Sequence, residues 1–134
     1  QMLNGNDELK LGDINPKRDF TYVQDTCEGI SSLIGRKESF GEIINIGSNN
    51  EYSISDIIDL IKEIMNRDIN IIQDDQRMRP HKSEVMRLKC DNSKLIQMTG
   101  FSPTTEIKEG LTKTIEWLSI EENLVKYKSN IYNV

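Results

Sequence analysis

The stretch RDFTYVQD, residues 18–25, is the most informative part of this chain of 134 residues. Its aromatic and β-branched residues indicate a short extended segment, and the apolar positions that follow predict a helix over residues 25–36. Asp25 stands at the beginning of that helix, so we interpret it as the N-cap. Arg18 lies before the cap, where its planar guanidinium could bind a phosphate through two hydrogen bonds. The stretch therefore predicts an extended segment leading into a helix, with a candidate anion-binding residue at its start.

Further helices and strands follow from apolar spacing. The clearest helix begins at Ser53, because Asp56 completes a capping-box pattern and apolar residues then repeat over three turns. The run EIINIG, residues 42–47, is apolar on both faces, which is typical of an interior strand of a parallel sheet. Such a strand needs neighbours, and this chain offers few. The other predicted elements are strands at residues 8–13, 69–73 and 85–88, and helices at residues 92–99 and from 105 or 106 to 118.

The composition is that of a soluble globular domain, with 36% hydrophobic and 29% charged residues. A net charge of −5 argues against a general nucleic-acid binder, which requires a basic face. No apolar run is long enough to span a membrane and no signal pattern is visible, so we expect a cytoplasmic protein. Cys27, Cys90 and the single His81 lack the spacing of a zinc site, and we expect no metal and two reduced, packed thiols.

The sequence lacks the usual signatures of cofactor binding and of catalysis. It contains no glycine-rich dinucleotide loop, and no tyrosine is followed four residues later by a lysine. A single histidine is too little to argue for a Ser-His-Asp or Cys-His arrangement. We therefore assign no catalytic residue and no cofactor-binding residue to this chain. It opens at Gln1 rather than at a methionine, so an upstream portion could precede it.

The stretch RMRPHKSEV, residues 77–85, is the second candidate for chemistry. Pro80 fixes the backbone beside Arg79, and Glu84 follows shortly after. An arginine near a carboxylate suits a nucleotide, because the guanidinium binds the diphosphate and the carboxylate accepts from ribose hydroxyls. Taken alone, the stretch is more typical of a solvated charged surface. Tyr22 could line a sugar or nucleotide pocket, and a core tyrosine is at least as frequent at such a position.

The order of these motifs resembles one family over residues 1–118. RDFTYVQD resembles the R-D-[FWY]-x-[YH]-V-x-D string of extended short-chain dehydrogenases that modify nucleotide sugars. NIGS, RMRPHKSEV, CDNSK, GFSP and EGLTKTIEW follow in the same order as in that family. The pattern looks most similar to 4,6-dehydratases of the GDP-sugar or UDP-N-acetylglucosamine type. Arg-Pro-Thr-Glu-Val of the GDP-mannose dehydratase branch is matched here by Arg79 and Glu84 with two extra residues between them.

The resemblance implies an α/β, Rossmann-like enzyme of which this chain is the C-terminal, substrate-binding part. Residues 1–53 would pack on an upstream Rossmann part and give a strand and a helix to its central parallel sheet. Residues 54–118 would form the substrate-binding subdomain, and residues 119–134 a tail. Alone, the chain would form a homo-oligomer or a swapped dimer, because the strand at residues 42–48 would otherwise lack a partner.

The resemblance also implies a function. Arg18, Arg79 and Glu84 would grip a nucleotide diphosphate sugar, with Tyr22 beside them, while NAD(P) would be bound upstream. In the family, the cofactor takes a hydride from C4, water leaves across C5 and C6, and the hydride returns at C6. The parent would be a lyase used in making cell-surface polysaccharides. A 4-epimerase uses the same grip, and the residues are also compatible with a non-catalytic binding module or a plain structural domain.

Overall fold

The computed structural model describes residues 1–78 and 84–127. Within these residues it has five α-helices, which are α1 (Val23–Ser32), α2 (Ile54–Met65), α3 (Ser93–Thr99), α4 (Ile107–Leu118) and α5 (Glu121–Leu124). The strands are β1 (Glu8–Leu11), β2 (Lys17–Arg18), β3 (Tyr52–Ser53), β4 (Asn70–Gln73) and β5 (Arg87–Leu88). Short 3₁₀ turns occupy Lys37–Ser39 and Asp75–Arg77. No helix in this described part of the chain is long and apolar enough to cross a membrane.

The strands form two small sheets. β1 pairs with β4 in parallel, with Leu9 opposite Ile71. In the second sheet β2 lies in the middle, antiparallel to β3 and parallel to β5, and Arg18 is opposite both Tyr52 and Leu88. Helices and parallel strands together give the α/β class that the sequence indicated. The central position of β2 means that the RDF motif begins inside a sheet.

The main apolar core lies where the first sheet packs on α2. Its buried side chains are Met2, Leu9, Ile58 and Ile69. The helix begins where the sequence predicts, because the Ser53 hydroxyl accepts from the Asp56 amide at 3.0 Å and the Asp56 carboxylate accepts from the Ser53 amide at 2.8 Å. It ends at Asn66, which has a left-handed conformation. Local capping and apolar spacing therefore define this element.

The predicted capping role of Asp25 is wrong. α1 begins at Val23 with Tyr22 at the N-cap position, so Asp25 lies inside the first turn. Its side chain is only 4% exposed, and the carboxylate accepts hydrogen bonds from the amides of Thr104 (3.4 Å) and Thr105 (3.2 Å). A buried carboxylate needs such donors, and the segment before α4 provides them. Asp25 thus ties α1 to a segment 80 residues later.

Two other expectations also differ from the structure. Residues 42–47 do not form a strand, and Ile43 is 86% exposed. The physical reason is that a strand exists only through hydrogen bonds to a neighbour, and the described part of the chain places none beside this segment. Cys27 was expected to be packed, but it is exposed on α1. Exposed apolar side chains lie near both positions, on α1 and along the segment that follows it.

Candidate functional site

An ion pair between Arg18 and Glu84 forms the centre of the candidate site. The Arg18 Nη2 atom lies 2.8 Å from the Glu84 Oε1 atom, and the two side chains are only 24% and 14% exposed. The partners are 66 residues apart in the sequence. They meet because β2 carries Arg18 and its parallel partner β5 begins shortly after Glu84. The structure therefore brings together two of the residues that the sequence predicted.

Backbone pairing fixes Arg18 and the strand that follows Glu84. The Lys17 amide donates to the Met86 carbonyl at 2.8 Å, and the Asp19 amide donates to the Leu88 carbonyl at 3.0 Å. The Arg18 Nη1 atom also donates to the carbonyl of Lys17 at 2.8 Å, so the guanidinium is held at two of its nitrogen atoms. These contacts give the guanidinium a defined direction before any ligand is bound.

Asp19 connects three segments behind Arg18. One carboxylate oxygen accepts from the Ser48 amide (2.9 Å), the Ser48 hydroxyl (2.7 Å) and the Thr21 hydroxyl (3.2 Å), while the other accepts from the Cys90 amide (3.2 Å). Burial alone would raise the pKa of Asp19, but these hydrogen bonds together outweigh it and hold the pKa below its usual value. Sequence reasoning missed this role. The only available signal was the place of Asp19 directly after Arg18 in the motif string.

Gly47 allows the segment after residues 42–46 to approach Cys90 closely. A Cβ atom at this position would lie 2.4 Å from the Cβ atom and 2.7 Å from the Sγ atom of Cys90. The Asn92 side-chain amide donates to the Gly47 carbonyl at 2.8 Å in a buried position. Burial raises the pKa of the Cys90 thiol, and the nearby carboxylates of Asp19 and Asp91 raise it further. Both effects disfavour the thiolate, which is the reactive form of a cysteine.

A cavity of about 470 Å³ opens beside Arg18. This volume lies in the range of small-molecule sites, roughly 300–1,000 Å³. Arg18 and Lys89 place two positive charges on its wall. The remaining lining residues are Asp19, Thr21, Ile44, Asn45, Ile46, Gly47, Leu88 and Cys90. The lining thus carries two cations and one carboxylate, and its guanidinium can bind an anionic group such as a phosphate.

Tyr22 lies in a different place. Its ring packs where Gly110 lets α1 and α4 approach, since a Cβ atom on Gly110 would lie 3.3 Å from the Tyr22 side chain. Lys113 Nζ lies 5.4 Å from the ring centroid, within the range of a cation–π contact. Tyr22 lines a second, more apolar cavity of about 340 Å³ with Val23 and Leu111. The structure therefore separates Tyr22 from the Arg18–Glu84 pair.

Arg79, the remaining predicted site residue, lies outside the described residues, as does Lys82. Arg77, just before it, is described, and its Nε atom lies 3.2 Å from the Asp74 carboxylate. Arg77 lines a third cavity, beside the edge of the first sheet, rather than the one beside Arg18.

Comparison with known proteins defines the class. A family model described as GDP-mannose 4,6-dehydratase matches residues 1–114, which is most of the chain. The chain therefore belongs to the GDP-mannose 4,6-dehydratase family, within the extended short-chain dehydrogenases that act as nucleotide-sugar epimerases and dehydratases. This agrees with the resemblance carried by the order of the sequence motifs.

Three relatives illustrate the range of that family. The chain is 36% identical over 123 residues to UDP-N-acetyl-alpha-D-glucosaminuronate decarboxylase of Bacillus cytotoxicus, covering 90% of this chain and 38% of that protein. It is 33% identical over 112 residues to GDP-6-deoxy-D-mannose reductase of Pseudomonas aeruginosa, covering 83% and 36%. The structure of UDP-glucuronic acid 4-epimerase from Bacillus cereus, in complex with UDP-glucuronic acid and NAD, matches with a TM-score of 0.73 and 31% identity, covering 88% and 38%. The chain thus spans little more than a third of the length of these proteins.

Proposed function

We propose that this chain is the substrate-binding portion of an NAD(P)-dependent nucleotide-sugar 4,6-dehydratase, in which it grips the nucleotide diphosphate. The observation that carries the proposal is the partly buried Arg18–Glu84 pair beside a cavity with a second cation, Lys89. Membership of the family supports the substrate class. Relatives of this chain are named for UDP-sugars and for GDP-sugars, so the base stays open.

The proposed role of this chain is binding and orientation. Arg18 would bind the diphosphate, Arg79 would add a second guanidinium, and Glu84 completes the charged group. The diphosphate lies away from the reacting sugar carbons. The free energy of its binding can therefore be used to hold the hexose in a reactive position. The nicotinamide cofactor, held upstream, would supply the hydride chemistry. Tyr22 remains a candidate for the sugar end, where its packing on α4 would set its position.

A division of the chain into parts belongs to the same proposal. Residues 1–53 would pack on an upstream Rossmann part, residues 54–118 would form the substrate-binding subdomain, and residues 119–134 a tail. The exposed apolar side chains of Val23, Ile30, Ile34 and Ile43 support this, because soluble proteins rarely leave such a surface uncovered. The relatives support this division as well, because the chain covers only 38% of the decarboxylase and 38% of the 4-epimerase. Alone, the chain would use this surface to associate with a second copy.

A 4-epimerase is the second candidate. The observation that favours it is the match to the 4-epimerase of Bacillus cereus, whose 31% identity is close to that of the reductase and the decarboxylase. The two reactions place the same demand on this chain, because each needs the diphosphate held while the sugar faces the cofactor. The difference between them must therefore come from residues near the sugar carbons.

The deciding experiment uses the whole protein that the native gene encodes, incubated with NAD⁺ and either GDP-mannose or UDP-N-acetylglucosamine. We expect proton NMR to show a new 6-deoxy methyl doublet, which forms only when water is eliminated. Inversion at C4 with no methyl signal would establish the epimerase instead. A protein that turns over neither sugar, and whose mass equals that of this chain, would favour a binding module and contradict the proposed enzyme.

A further inference from the structure

A second ion pair spans the small sheet that carries Arg18. Glu51 directly precedes β3 and Arg87 lies on β5, so β2 runs between the two residues. The Arg87 Nη2 atom lies 2.7 Å from the Glu51 Oε1 atom, and the Arg87 Nε atom lies 3.2 Å from the Glu51 Oε2 atom. This fork engages both carboxylate oxygens and gives the contact a defined direction. The pair therefore connects the two outer strands across the central one.

The backbone ladder of β5 is short. Within the described residues, β5 has two residues and lies at the edge of its sheet. The ladder consists of the Lys17 amide, which donates to the Met86 carbonyl, and the Asp19 amide, which donates to the Leu88 carbonyl. A ladder of this length specifies the position of a strand only weakly. A side-chain contact that reaches past β2 to the segment before β3 therefore adds a constraint on β5.

Arg87 lies between two residues of the candidate site. Glu84, three residues earlier, pairs with Arg18, and Lys89, two residues later, lines the cavity beside Arg18. A shift of β5 would move both of these residues relative to Arg18. A contact that fixes β5 at Arg87 therefore fixes the charged groups around the cavity.

We propose that Glu51 and Arg87 are positioning residues of the candidate diphosphate site, which act by holding β5 in place across β2. The inference rests on the proposed function, because it takes the cavity beside Arg18 as the site of the diphosphate. Arg87 is opposite Lys17 in the register of β2 and β5, so its side chain points to the face of the sheet away from Arg18. The pair can therefore order the site without contacting the nucleotide.

The negative charge of Glu51 separates this role from a purely electrostatic one. The Arg87 guanidinium donates to Glu51 and holds the pKa of its carboxyl below the usual value, so Glu51 is charged at neutral pH. Glu51 also attracts Lys89, a cation that lines the cavity. If Glu51 acted on the ligand only through its charge, removing that charge would strengthen the binding of an anion. If Glu51 positions β5, the same change must weaken binding.

The experiment compares the unaltered chain with Glu51→Gln, Arg87→Lys and the double variant. Arg87→Lys keeps the positive charge and removes the fork, so it separates geometry from charge. Isothermal titration measures the affinities for UDP and GDP. Amide hydrogen exchange at Lys17 and Asp19 reports on the ladder between β2 and β5, with or without a nucleotide.

The matched controls are Glu63→Gln and Lys108→Arg. Glu63 and Lys108 form an ion pair of 2.6 Å between α2 and α4, and neither residue lines the cavity beside Arg18. Both controls should leave the nucleotide affinities and the exchange of the Lys17 and Asp19 amides unchanged. Thermal unfolding establishes that each variant is folded.

We expect Glu51→Gln and Arg87→Lys each to weaken the binding of the nucleotide roughly three- to tenfold, because the site must then be ordered on binding. The double variant should bind no more weakly than the weaker single variant, since each single change already breaks the fork. Exchange of the Lys17 and Asp19 amides should become faster in all three variants. The thermal midpoint should change little, because the Arg87 side chain is 71% exposed and exposed ion pairs contribute little to global stability.

Three results would overturn the positioning role and leave the proposed diphosphate grip intact. Stronger nucleotide binding in Glu51→Gln would mean that its carboxylate acts only through its charge. Faster amide exchange with unchanged affinity would mean that the pair supports the sheet alone. Losses that add in the double variant would mean that Glu51 and Arg87 act separately. Failure of the unaltered chain to bind UDP or GDP would instead contradict the grip itself, and the positioning role with it.

Discussion

Among single residues, Asp19 and Gly47 determine how Arg18 is held. Asp19 joins β2 to the segments around Ser48 and Cys90 through hydrogen bonds to both of its carboxylate oxygens. Gly47 lets two of these segments approach to a distance that no side chain permits. The contribution of both residues is to fix the backbone on which the guanidinium stands.

The depressed pKa of Asp19 predicts a pH dependence of stability. Because its folded pKa lies below the unfolded value of about 3.9, Asp19 stabilises the fold fully above that value, and this stabilisation is lost as the pH falls through the folded pKa. We expect Asp19→Asn to lower the free energy of unfolding at neutral pH by about 1–3 kcal/mol. The difference in free energy of unfolding between Asp19→Asn and the unaltered chain should become smaller as the pH falls toward about 3.

Urea unfolding at several pH values measures this effect. Asp59→Asn is the control, since Asp59 is an exposed carboxylate on α2, and it should change the free energy of unfolding much less. A constant deficit of Asp19→Asn at every pH would contradict the assignment of the low pKa to Asp19.

A methyl group at residue 47 should destabilise the chain. The new Cβ atom would meet the Cβ atom of Cys90 at 2.4 Å, and overpacking of this kind costs about 1–3 kcal/mol. We expect Gly47→Ala to lower the thermal midpoint. Adding Cys90→Gly removes both opposing atoms and should recover part of the loss, whereas Cys90→Ala removes only the Sγ atom at 2.7 Å, keeps the nearer Cβ atom and should recover less. Equal recovery by both second substitutions would refute the close approach.

Among the secondary-structure elements, α2 shows what local sequence determines. Its capping box, apolar spacing and end all follow from neighbouring residues. We predict that Ser53→Ala lowers the free energy of unfolding by about 1 kcal/mol, the usual value of such a cap. Ser55→Ala, two residues further on, is the control and should change stability much less. Chemical denaturation compares the two, and similar losses would mean that the cap contributes nothing.

Other features depend on distant residues. β2 and β3 are only two residues long and were not predicted as strands, because they exist through pairing with residues far away in the sequence. β5 lies within the strand predicted at residues 85–88. Asp25 carries the local signature of a cap, yet its burial beside the segment before α4 gives it another role. The motif strings indicated Arg18 and Glu84 separately, whereas their contact across 66 residues depends on the β2–β5 pairing. The segment at residues 42–47 has the composition of a strand and lacks a neighbour within the described residues.

In the molecule as a whole, apolar side chains are exposed at several places in the described residues, and one run of them lies on α1 and just after it. α1 exposes Val23 and Ile30, and Ile34, Phe40 and Ile43 continue the apolar character along the chain. The chain thus has an apolar core of its own and also a set of exposed apolar side chains outside that core. It spans 38% of the decarboxylase that it resembles, and the proposed upstream part would cover these side chains. A face of this kind favours association in water.

We predict that the isolated chain self-associates through this face. Sedimentation velocity should show a mass that increases with concentration. Ile34→Glu and Ile43→Glu should each reduce the association, because each places a charge on the apolar surface. Val125→Glu is the control, since Val125 is also exposed but lies after α5. A chain that stays monomeric at every concentration would contradict a shared apolar interface.

The proposed function depends above all on a nucleotide-diphosphate subsite centred on Arg18. Isothermal titration of the chain with UDP and with GDP measures the affinity of that subsite. The titration is repeated with Arg18→Ala, and with Lys108→Ala as a control on an exposed lysine. We predict that one nucleotide binds, that Arg18→Ala weakens its binding at least about tenfold, as expected for a lost charge-assisted contact, and that Lys108→Ala has no effect. Absence of binding to both nucleotides, or equal affinity in the Arg18→Ala variant, would contradict the subsite.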